Sequence, residues 1–562
     1  KGIFKCYRIG IKNKDGVYSR QAQKAMGIVG KYCLCENTRV SGKHGSIPIE
    51  NLYGENLEVL SWNEKTDKLE ISVQSNFFDN GKKECIELEL EDGRTIICTP
   101  DHKLVTENGW INADDIPVGG KVKVGPILPE VELDTNETIY ARVLGYMITD
   151  GHISKQRCVG YFGNLLDAQV FCDDIKTLCG IKPEIRKKSL DNCWLVSLPK
   201  NMKYKLLTEN WIKGGNRTGS KELLPDVSKW SKSQIREFIA GMFGGDGWCP
   251  CYNKGDDKFT PIGLTQSRNN KNDIDEYVEK LSNMLKMFDI SSSIRIAKRD
   301  NLFIGSLSLS MHDIEKFVTT IGYRYCYHKT IRSSIATFYY RIKNKAIRAY
   351  KQFYDQVITS DMSIAGAYRE YVNRYTYAPT YGTMKSWARK GFPTGRPDQA
   401  CRSFPKVGQF LNRINVIKLF EGDDYHSYSL DKNCDTLPTF ELSLISKKSV
   451  GIKQVYDITV EDTHSFLANG IVAHNCVQDS ALVIRLFNKL QTWIGLCEMA
   501  KTCNVPIFYL YTQGQQIKVY SQLYKYCFTE DTKVSLVHGN VPIKMLEKNK
   551  DKVLSWDEKT DQ

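Results

Sequence analysis

The stretch that most constrains this chain is residues 455–476, whose sequence VYDITVEDTHSFLANGIVAHNC ends in His474-Asn475-Cys476. The side-chain amide of an asparagine can attack its own backbone carbonyl, form a succinimide and break the chain after itself. That reaction is slow unless a neighbour polarises the carbonyl or assists proton transfer, which suits His474 and also His464. The thiol of Cys476 is the side chain best suited to take up an acyl group. Alone, the tripeptide is also compatible with a chance sequence on a loop.

A counterpart far upstream favours the chemical interpretation. Cys33 opens the sequence CLCENTRV, and an alternating stretch, CIELEL at 85–90, is followed by Glu-Asp-Gly and by TIIC at 95–98. Alternation around a turn of this type predicts a β-hairpin. The hairpin would deliver Thr99 and His102 at a strand end.

These segments resemble the splicing blocks of inteins, the self-splicing proteins with the all-β Hint fold. The resemblance implies that Cys33 attacks the carbonyl of Tyr32, while Thr99 and His102 stabilise the oxyanion and protonate the leaving amine. It also assigns roles at the other junction, to Asp457 and His464 in the penultimate block, His474 beside the cyclising Asn475, and Cys476 as acyl acceptor. We expect splicing to need neither metal nor ATP, because each step exchanges bonds of similar energy.

The sequences that flank residues 33–475 read as parts of a host protein. Joining Tyr32 to Cys476 gives GKYCVQDS, in which Asp479 follows the tyrosine by four positions. This resembles the third exonuclease motif of family B DNA polymerases of the delta and large-DNA-virus type. The resemblance implies a 3′–5′ exonuclease site, with Asp479 as a Mg²⁺ ligand and Tyr32 placing the attacking water. The alternative is an ordinary amphipathic helix followed by a glycine loop.

Residues 527–562 repeat the sequence that begins at Cys33. The offset is constant and without a gap, so that VLSW at 553–556 matches VLSW at 59–62. An ungapped repeat of this kind is not accidental. It resembles the start of a second intein, with Cys527 as its first nucleophile.

Two related apolar segments lie between the splicing halves, VLGYMITDG at 143–151 and IAGMFGGDG at 239–247. Each predicts a helix that ends in Asp-Gly. Glycine is less favourable than alanine in a helix by about 1 kcal/mol, so the glycines indicate two helices packed backbone to backbone. Such packing would bring Asp150 and Asp246 together, where the two carboxylates repel each other unless a cation lies between them. Mg²⁺ prefers such oxygen ligands.

These segments resemble the LAGLIDADG (DOD-type) homing endonucleases, although both depart from the family pattern at its internal acidic position. The resemblance implies site-specific cutting of double-stranded DNA, with Asp150 and Asp246 as metal ligands. It implies an active-site lysine at Lys221, with Lys298 as a weaker candidate, although either lysine is also compatible with a solvated basic surface. Two copies imply a monomer with two pseudo-symmetric αββαββ halves, whose β-ribbons enter the major groove. Two alternatives stay open: buried helices capped by aspartates, and an inactive endonuclease that only binds DNA.

The stretch at 324–413 is rich in lysine and arginine, with tyrosines and Trp387 interleaved, and 363–391 has the rhythm of a helix-turn-helix. We interpret it as an additional DNA-binding element, with a solvated helical bundle as the alternative. The net charge of +13 likewise favours a polyanionic partner.

The expected architecture is therefore multidomain. An all-β Hint domain in two halves (33–130 and 436–475) is split by an α+β endonuclease (131–323) and a mainly helical basic insert (324–435). Short α/β polymerase remnants (1–32 and 476–526) and the second intein start (527–562) flank it, and the rest of the polymerase is the expected partner.

The cysteines and apolar runs bear on location and partners. Eighteen scattered cysteines indicate a reduced, intracellular protein, in the nucleus or a virus-infected cell, although the sequence itself does not specify which. No apolar run approaches the length of a membrane span, so we expect no membrane partner. Three other functional classes stay open: a Hint module that cleaves without ligating, a stand-alone endonuclease with vestigial ends, and a DNA-binding protein without catalysis.

Overall fold

The computed structural model describes residues 33–475, except 55, 154–157, 188–192, 203–223, 360–362, 375–378, 393–403, 421–435 and 461. It also describes residues 491–512, 515–547 and 550–555. The chain divides into two compact units, Lys31–Cys476 and the flanking segments Lys1–Gly30 and Val477–Gln562.

The first unit begins with nine strands of different lengths. They are β1 (Leu34–Cys35), β2 (Arg39–Ser41), β3 (Ser46–Pro48), β4 (Glu58–Asn63), β5 (Lys68–Leu90), β6 (Thr95–Cys98), β7 (Lys103–Thr106), β8 (Gly109–Asn112) and β9 (Lys121–Val124). The predicted hairpin is confirmed, because β5 and β6 pair in antiparallel register from Ile86 opposite Cys98 to Glu89 opposite Thr95. The turn between them has Gly93 at a φ of 84°.

The middle of the unit alternates helices and strands. Its first part contains α1 (Asn136–Asp150), β10 (Gly151–Ile153), β11 (Cys158–Phe162), α2 (Leu165–Cys179), β12 (Ile185–Lys187) and β13 (Trp194–Ser197). Its second part contains α3 (Lys232–Gly245), β14 (Gly247–Trp248), β15 (Tyr252–Asn253), β16 (Lys258–Phe259), β17 (Gly263–Arg268), α4 (Lys271–Lys286), β18 (Ser292–Arg299), β19 (Leu302–Leu309) and α5 (Ile314–Thr320). Each part has one four-stranded antiparallel sheet, ordered β10-β11-β13-β12 and β14-β17-β19-β18. The order α–β–β–α–β–β is the one expected from the sequence, with a β15–β16 hairpin added in the second part.

The helices α1 and α3 pack against each other at glycines. A Cβ atom at Gly145 would lie 2.2 Å from the carbonyl oxygen of Phe238, and one at Gly241 would lie 2.2 Å from that of Arg142. Real Cβ contacts are never so short, so the two backbones approach more closely than any larger residue allows. Both helices also begin with a capping box, at Thr135 and at Ser231.

A helical insert follows and leads back into the sheet. Its helices are α6 (Tyr327–Thr359), α7 (Ile364–Arg374), α8 (Tyr381–Lys390) and α9 (Val407–Arg413), and the closing strands are β20 (Phe440–Val460), β21 (Ser465–Ala468) and β22 (Ile471–His474). The start of the insert packs into the middle of the unit, where the buried guanidinium of Arg324 binds both carboxylate oxygens of Glu237.

The last three strands complete one large sheet with the first nine. Its order is β3-β2-β21-β22-β7-β9-β20-β1-β6-β5-β4, with β8 paired to β7. The long strands β5 and β20 pair from Leu90 opposite Leu444 to Gln74 opposite Val460, through four register shifts that bend the ribbon. We name residues 33–130 and 436–475 the β-body and residues 131–323 the two-helix body. One continuous apolar core runs through both and into the helical insert.

The second unit contains α10 (Thr492–Cys503), α11 (Ile507–Thr512), α12 (Gln515–Tyr526), β23 (Lys533–Leu536) and β24 (Gly539–Pro542) among its described residues. The three helices share a small core that includes Ala500, Val505 and Leu510. Helical periodicity from Asp479 to Leu496 predicts a helix, most of which lies outside the described residues. A membrane-spanning helix, with the length and apolar character to cross a bilayer, is absent from the described parts of both units.

Candidate functional site

The residue expected at the upstream junction, Cys33, is fully buried at the start of β1. Leu34 pairs with both Cys98 on β6 and Tyr456 on β20, which places Cys33 between the two strands. Its backbone N–H donates to Oγ1 of Thr99 at 3.2 Å, and the N–H of Thr99 donates to the Cys33 carbonyl at 3.0 Å. The threonine hydroxyl therefore contacts the nitrogen that would become the leaving amine.

The thiol of Cys33 has both apolar and charged neighbours. Cys85 and Val455 form a small buried cluster with it. Lys83 Nζ donates a hydrogen bond to the Cys33 sulfur at 3.1 Å. Burial raises the pKa of the thiol to about 12; Lys83 lowers it and Asp457 raises it further. The reactive thiolate is thus disfavoured in the resting site.

His102 lies at the turn that leads from β6 into β7, and its backbone N–H donates to the Thr99 carbonyl at 2.9 Å. The ring is completely buried. Burial, together with the nearby His474, lowers the pKa of His102 to about 3. The imidazole is therefore neutral at physiological pH, as an acid–base group adjoining an apolar reaction centre must be to accept a proton.

The downstream junction residue, Asn475, is fully buried at the end of β22. Its backbone N–H donates to the His464 carbonyl at 3.0 Å, and its side-chain Nδ2 donates to the Val460 carbonyl at 2.8 Å. Nδ1 of His474 lies against the Asn475 carbonyl oxygen. The nucleophilic nitrogen and the carbonyl that it would attack are thus each held by a neighbour.

The two junctions meet within the same sheet. Ala473 on β22 pairs with Leu104 on β7, which brings His474 close enough to His102 to lower the pKa of that imidazole. The rings of Trp110 on β8 and His474 pack edge to face, with centroids 4.8 Å apart. Asp457 is buried on β20 and acts electrostatically on Cys33. His464 adopts a φ of 53°, and its carbonyl supports Asn475.

Two of the expected splicing residues, Tyr32 and Cys476, lie outside the described residues, as does the expected exonuclease ligand Asp479. Cys527 is exposed in the second unit. The segment around it repeats the start of the β-body in structure as well as in sequence: Val534 pairs with Val541 as Val40 pairs with Ile47.

The segment that begins at Cys33 and its repeat that begins at Cys527 differ in burial. Val59 and Leu60 are 1% and 0% exposed, whereas their counterparts Val553 and Leu554 are 51% and 62% exposed. In the first copy, β2 pairs with β21 through Val40 and Ala468. The described part of the second copy therefore repeats the β2–β3 hairpin of the first, while the counterparts of its core residues are exposed.

The aspartates of the two-helix body lie at neighbouring helix ends. Asp150 is the last residue of α1, and Asp246 follows the last residue of α3. A Cβ at Gly245 would be 3.1 Å from the Cβ of Asp150, so Asp150 lies against the residue that precedes Asp246. The side-chain amide of Gln266 donates to the Asp246 carboxylate.

This pair fits a magnesium ion in its chemistry. Among the residues that the structure describes, there is no group of three or more His, Cys, Asp or Glu side chains that could hold an ion, so Asp150 and Asp246 are the carboxylates considered. Mg²⁺ commonly takes one or two carboxylates and completes its shell with water and phosphate oxygens. Two adjacent, solvent-accessible aspartates at helix ends meet that requirement.

One lysine near this site was not expected from the sequence. Lys221 lies outside the described residues, so its role stays a prediction, and Lys298 on β18 packs its ammonium group over the Phe303 ring at 5.5 Å. Lys329 at the start of α6 donates to the carbonyls of Phe243 and Gly244 at 3.1 and 2.7 Å, beside Asp246. Sequence reasoning missed Lys329 and Lys83, because both act on residues that are distant in the chain and neither has a local motif.

The predicted helix-turn-helix segment does contain two helices, α7 and α8. Trp387 on α8 is buried and packs against Tyr350 and Phe392, with ring centroids 6.0 and 4.9 Å apart. This tryptophan therefore belongs to the interior of the insert and is not placed to stack on nucleic acid.

Comparisons with known proteins match these features. The family model of the intein splicing domain matches residues 40–475. The chain is 26% identical over 377 residues to the replication factor C small subunit of Methanocaldococcus jannaschii, covering 62% of this chain and 18% of the relative. It is 69% identical over 52 residues to DNA polymerase 120R of Invertebrate iridescent virus 3, covering 9% and 5%. It is 48% identical over 61 residues to DNA polymerase 037L of Invertebrate iridescent virus 6, covering 11% and 5%. The chain thus spans only a small part of these relatives.

Among solved structures, similarity is found to a DnaB intein from Synechocystis sp. PCC 6803. The two are 28% identical with a TM-score of 0.17, covering 17% of this chain and 69% of that one. Similarity is also found to I-DmoI in complex with DNA and Mn, at 19% identity and a TM-score of 0.24, covering 33% and 97%.

Proposed function

The chain belongs to the intein splicing family, and we propose that residues 33–475 excise themselves and join Tyr32 to Cys476. The observation that carries this proposal is the shared site in one sheet. There the Thr99 hydroxyl contacts the Cys33 nitrogen, and the His474 ring contacts the Asn475 carbonyl. Each junction thus has its polarising group at the bond that must break.

The first step is attack of the Cys33 sulfur on the Tyr32 carbonyl carbon. The C–N bond to Cys33 breaks, and a thioester replaces the peptide bond. Thr99 holds the departing nitrogen through the hydrogen bond of 3.2 Å. The neutral His102 would take up the thiol proton and pass it to that nitrogen.

The later steps use the downstream residues. The Cys476 sulfur takes the acyl group from Cys33, and Nδ2 of Asn475 then attacks its own carbonyl carbon. Nδ2 donates a hydrogen bond to the Val460 carbonyl, which raises the electron density on this nitrogen. His474 assists at the carbonyl oxygen of Asn475. Release of the succinimide leaves a thioester that rearranges to a peptide bond.

Mass spectrometry of the chain expressed under reducing conditions tests this proposal. We expect the excised segment 33–475 and a joined product whose peptides include a Tyr32–Cys476 bond. The double variant C33A/N475A is the control and should remain intact. A wild-type chain that stays intact after full reduction, with the folded β-body verified by circular dichroism, would contradict the proposal.

A second activity is supported by the two-helix body. We propose that it is a LAGLIDADG-type endonuclease that cuts double-stranded DNA, with Asp150 and Asp246 holding the metal. The close approach of the aspartates at the ends of glycine-packed helices supports this assignment. When bound, Mg²⁺ would activate water and neutralise charge on the phosphate. Gln266 would orient the Asp246 carboxylate, while Lys329 keeps the end of α3 fixed.

The sheets and the insert offer surfaces for DNA. On β18 most side chains are exposed, including Arg295 and Arg299. A twisted antiparallel ribbon with exposed arginines suits the major groove. We propose that α7 and α8 extend this surface along the backbone, which predicts binding that weakens steeply with salt. A monomer with two unequal halves would read an asymmetric site.

The flanks are proposed to belong to a family B DNA polymerase. Short segments with high identity to iridovirus DNA polymerases support this host. In the spliced product, Tyr32 and Asp479 would complete an exonuclease motif with Mg²⁺, and the remainder of the polymerase would be the partner. Cys527 would begin a second intein. We also propose a reducing, intracellular environment, because the thiol steps need reduced cysteines.

A further inference from the structure

Lys83 brings a positive charge into contact with the first nucleophile. It lies on β5, half-buried, and its Nζ donates to the Cys33 sulfur at 3.1 Å. Cys85, two residues along the same face of β5, forms a small buried cluster with Cys33 and Val455. The sulfur is therefore buried among apolar neighbours, with the lysine ammonium in hydrogen-bond contact.

The electrostatics of this pocket oppose the reaction that the thiol must perform. Attack on a carbonyl requires the thiolate, and burial disfavours it. The carboxylates of Asp457 and Asp101 disfavour it further, whereas Lys83 acts in the opposite direction. The hydrogen bond from an ammonium group to a charged sulfur is also stronger than one to a neutral thiol.

We propose that Lys83 is a catalytic residue of the first splicing step, whose ammonium group stabilises the Cys33 thiolate as it attacks. This inference rests on the proposed splicing function. The S–C bond forms at the Tyr32 carbonyl carbon and the C–N bond to Cys33 breaks. The thiol proton passes to the Cys33 nitrogen, so the step is balanced. Lys83 keeps its own proton throughout.

A merely structural lysine would affect both junctions, and this distinction defines the test. Upstream cleavage is measured with dithiothreitol in an N475A background, where thioester formation is the chemical step that leads to product. Downstream cleavage is measured as Asn475 cyclisation in a C33A background. Each background carries K83M, K83R or K82M. Lys82 is the matched control, because it is the adjacent residue of β5 and is exposed.

We expect K83M to slow upstream cleavage by about tenfold or more, the effect of one unit in the pKa of the thiol. K83R should recover most of the rate, and K82M should match the parent. Downstream cyclisation should be the same in all four chains.

Two results overturn the inference alone. One is upstream cleavage in K83M at the K82M rate, and the other is equal slowing of both junctions by K83M, which would indicate a structural role. A parent chain that cleaves at neither junction overturns the proposed splicing function, and the inference with it.

Discussion

Nε2 of His44 lies 3.0 Å from the Asp174 carboxylate, and this contact joins the β-body to the two-helix body. Arg142 also binds Asp174, at 2.7 and 2.9 Å, and the Tyr325 hydroxyl donates to it at 2.6 Å. Burial opposes ionisation of Asp174, but Arg142 and His44 outweigh it and hold the pKa of the carboxyl well below its usual range. The carboxylate is therefore the charged centre of a buried network that three parts of the chain share.

Asp174→Asn should destabilise the splice-blocked C33A/N475A chain by about 3–5 kcal/mol, because Arg142 would keep a buried charge without its main partner. Urea unfolding, followed by tryptophan fluorescence, measures this. Asp173→Asn is the matched control, since Asp173 is partly exposed and forms an ion pair with the exposed Lys182. Equal stability of the two variants would show that the network contributes little.

Gly145→Ala should weaken the packing of α1 on α3 by about 1–3 kcal/mol, since the new methyl group would meet the Phe238 carbonyl. Gly382→Ala on α8 is the control. Apart from its chain neighbours and the backbone of its own helix, no described heavy atom lies within 4 Å of its Cβ position, so the change should be neutral or slightly stabilising. Thermal unfolding compares the two. A Gly145→Ala chain as stable as Gly382→Ala would contradict the close approach of the helices.

Cys33→Ala should prevent cleavage before residue 33 while Asn475 still cyclises slowly. The expected products are an intact upstream linkage and a released segment 476–562, detected by mass spectrometry. Asn475→Ala should give the reverse pattern, with thiol-induced cleavage at the upstream junction alone. Cleavage before residue 33 in the Cys33→Ala chain would exclude this cysteine as the nucleophile.

Asp150→Asn and Asp246→Asn should each abolish cutting of DNA that carries the uninterrupted host sequence, in the presence of Mg²⁺. Removal of one carboxylate leaves a metal site with a single protein ligand. Splicing should proceed at the wild-type rate in both variants, because neither aspartate belongs to the β-body. Loss of splicing would mean that these aspartates are structural. Binding without cutting by the wild-type chain would leave DNA recognition as the activity.

The stability of the splice-blocked chain should respond to pH through His102. The pKa of His102 is about 3 in the folded protein and 6.5 in the unfolded chain. Between pH 3 and pH 6.5, the unfolded chain therefore binds a proton that the folded protein does not. Stability is therefore lost as the pH falls below 6.5. His102→Gln should flatten this dependence by up to about 1.4 kcal/mol per pH unit.

The control for this measurement is His312→Gln, since His312 is exposed. Asp167 has the opposite effect on the pH dependence of stability, and it is present in all the chains. Burial raises its pKa to about 7, so the folded protein takes up this proton at a higher pH than the unfolded chain does. The comparison of variants therefore isolates His102. Identical slopes for the two variants would contradict the burial of the His102 ring.

Much of the fold was predictable where a residue's role depends on its neighbours in the chain. The hairpin at 85–98 followed from alternation and a turn, and the close helices followed from glycines at 145 and 241. Cys33 and Asn475 stood out because their chemistry is rare. The contacts of Lys83 with Cys33 and of Lys329 with α3 could not be predicted, since they arise from pairing across long sequence separations. The interior position of Trp387 was likewise decided by packing that composition does not encode.

The continuous core shared by the β-body and the two-helix body makes the inserted residues 131–435 hard to lose. A deletion that removed residues 131–435 would leave His44 and the neighbouring apolar residues without their covering, so the shortened sheet would be prone to aggregate. Under the proposed endonuclease function, loss of DNA cutting by a point mutation has no such penalty. A lineage that no longer cuts DNA would therefore keep the two-helix body as a structural part of the protein.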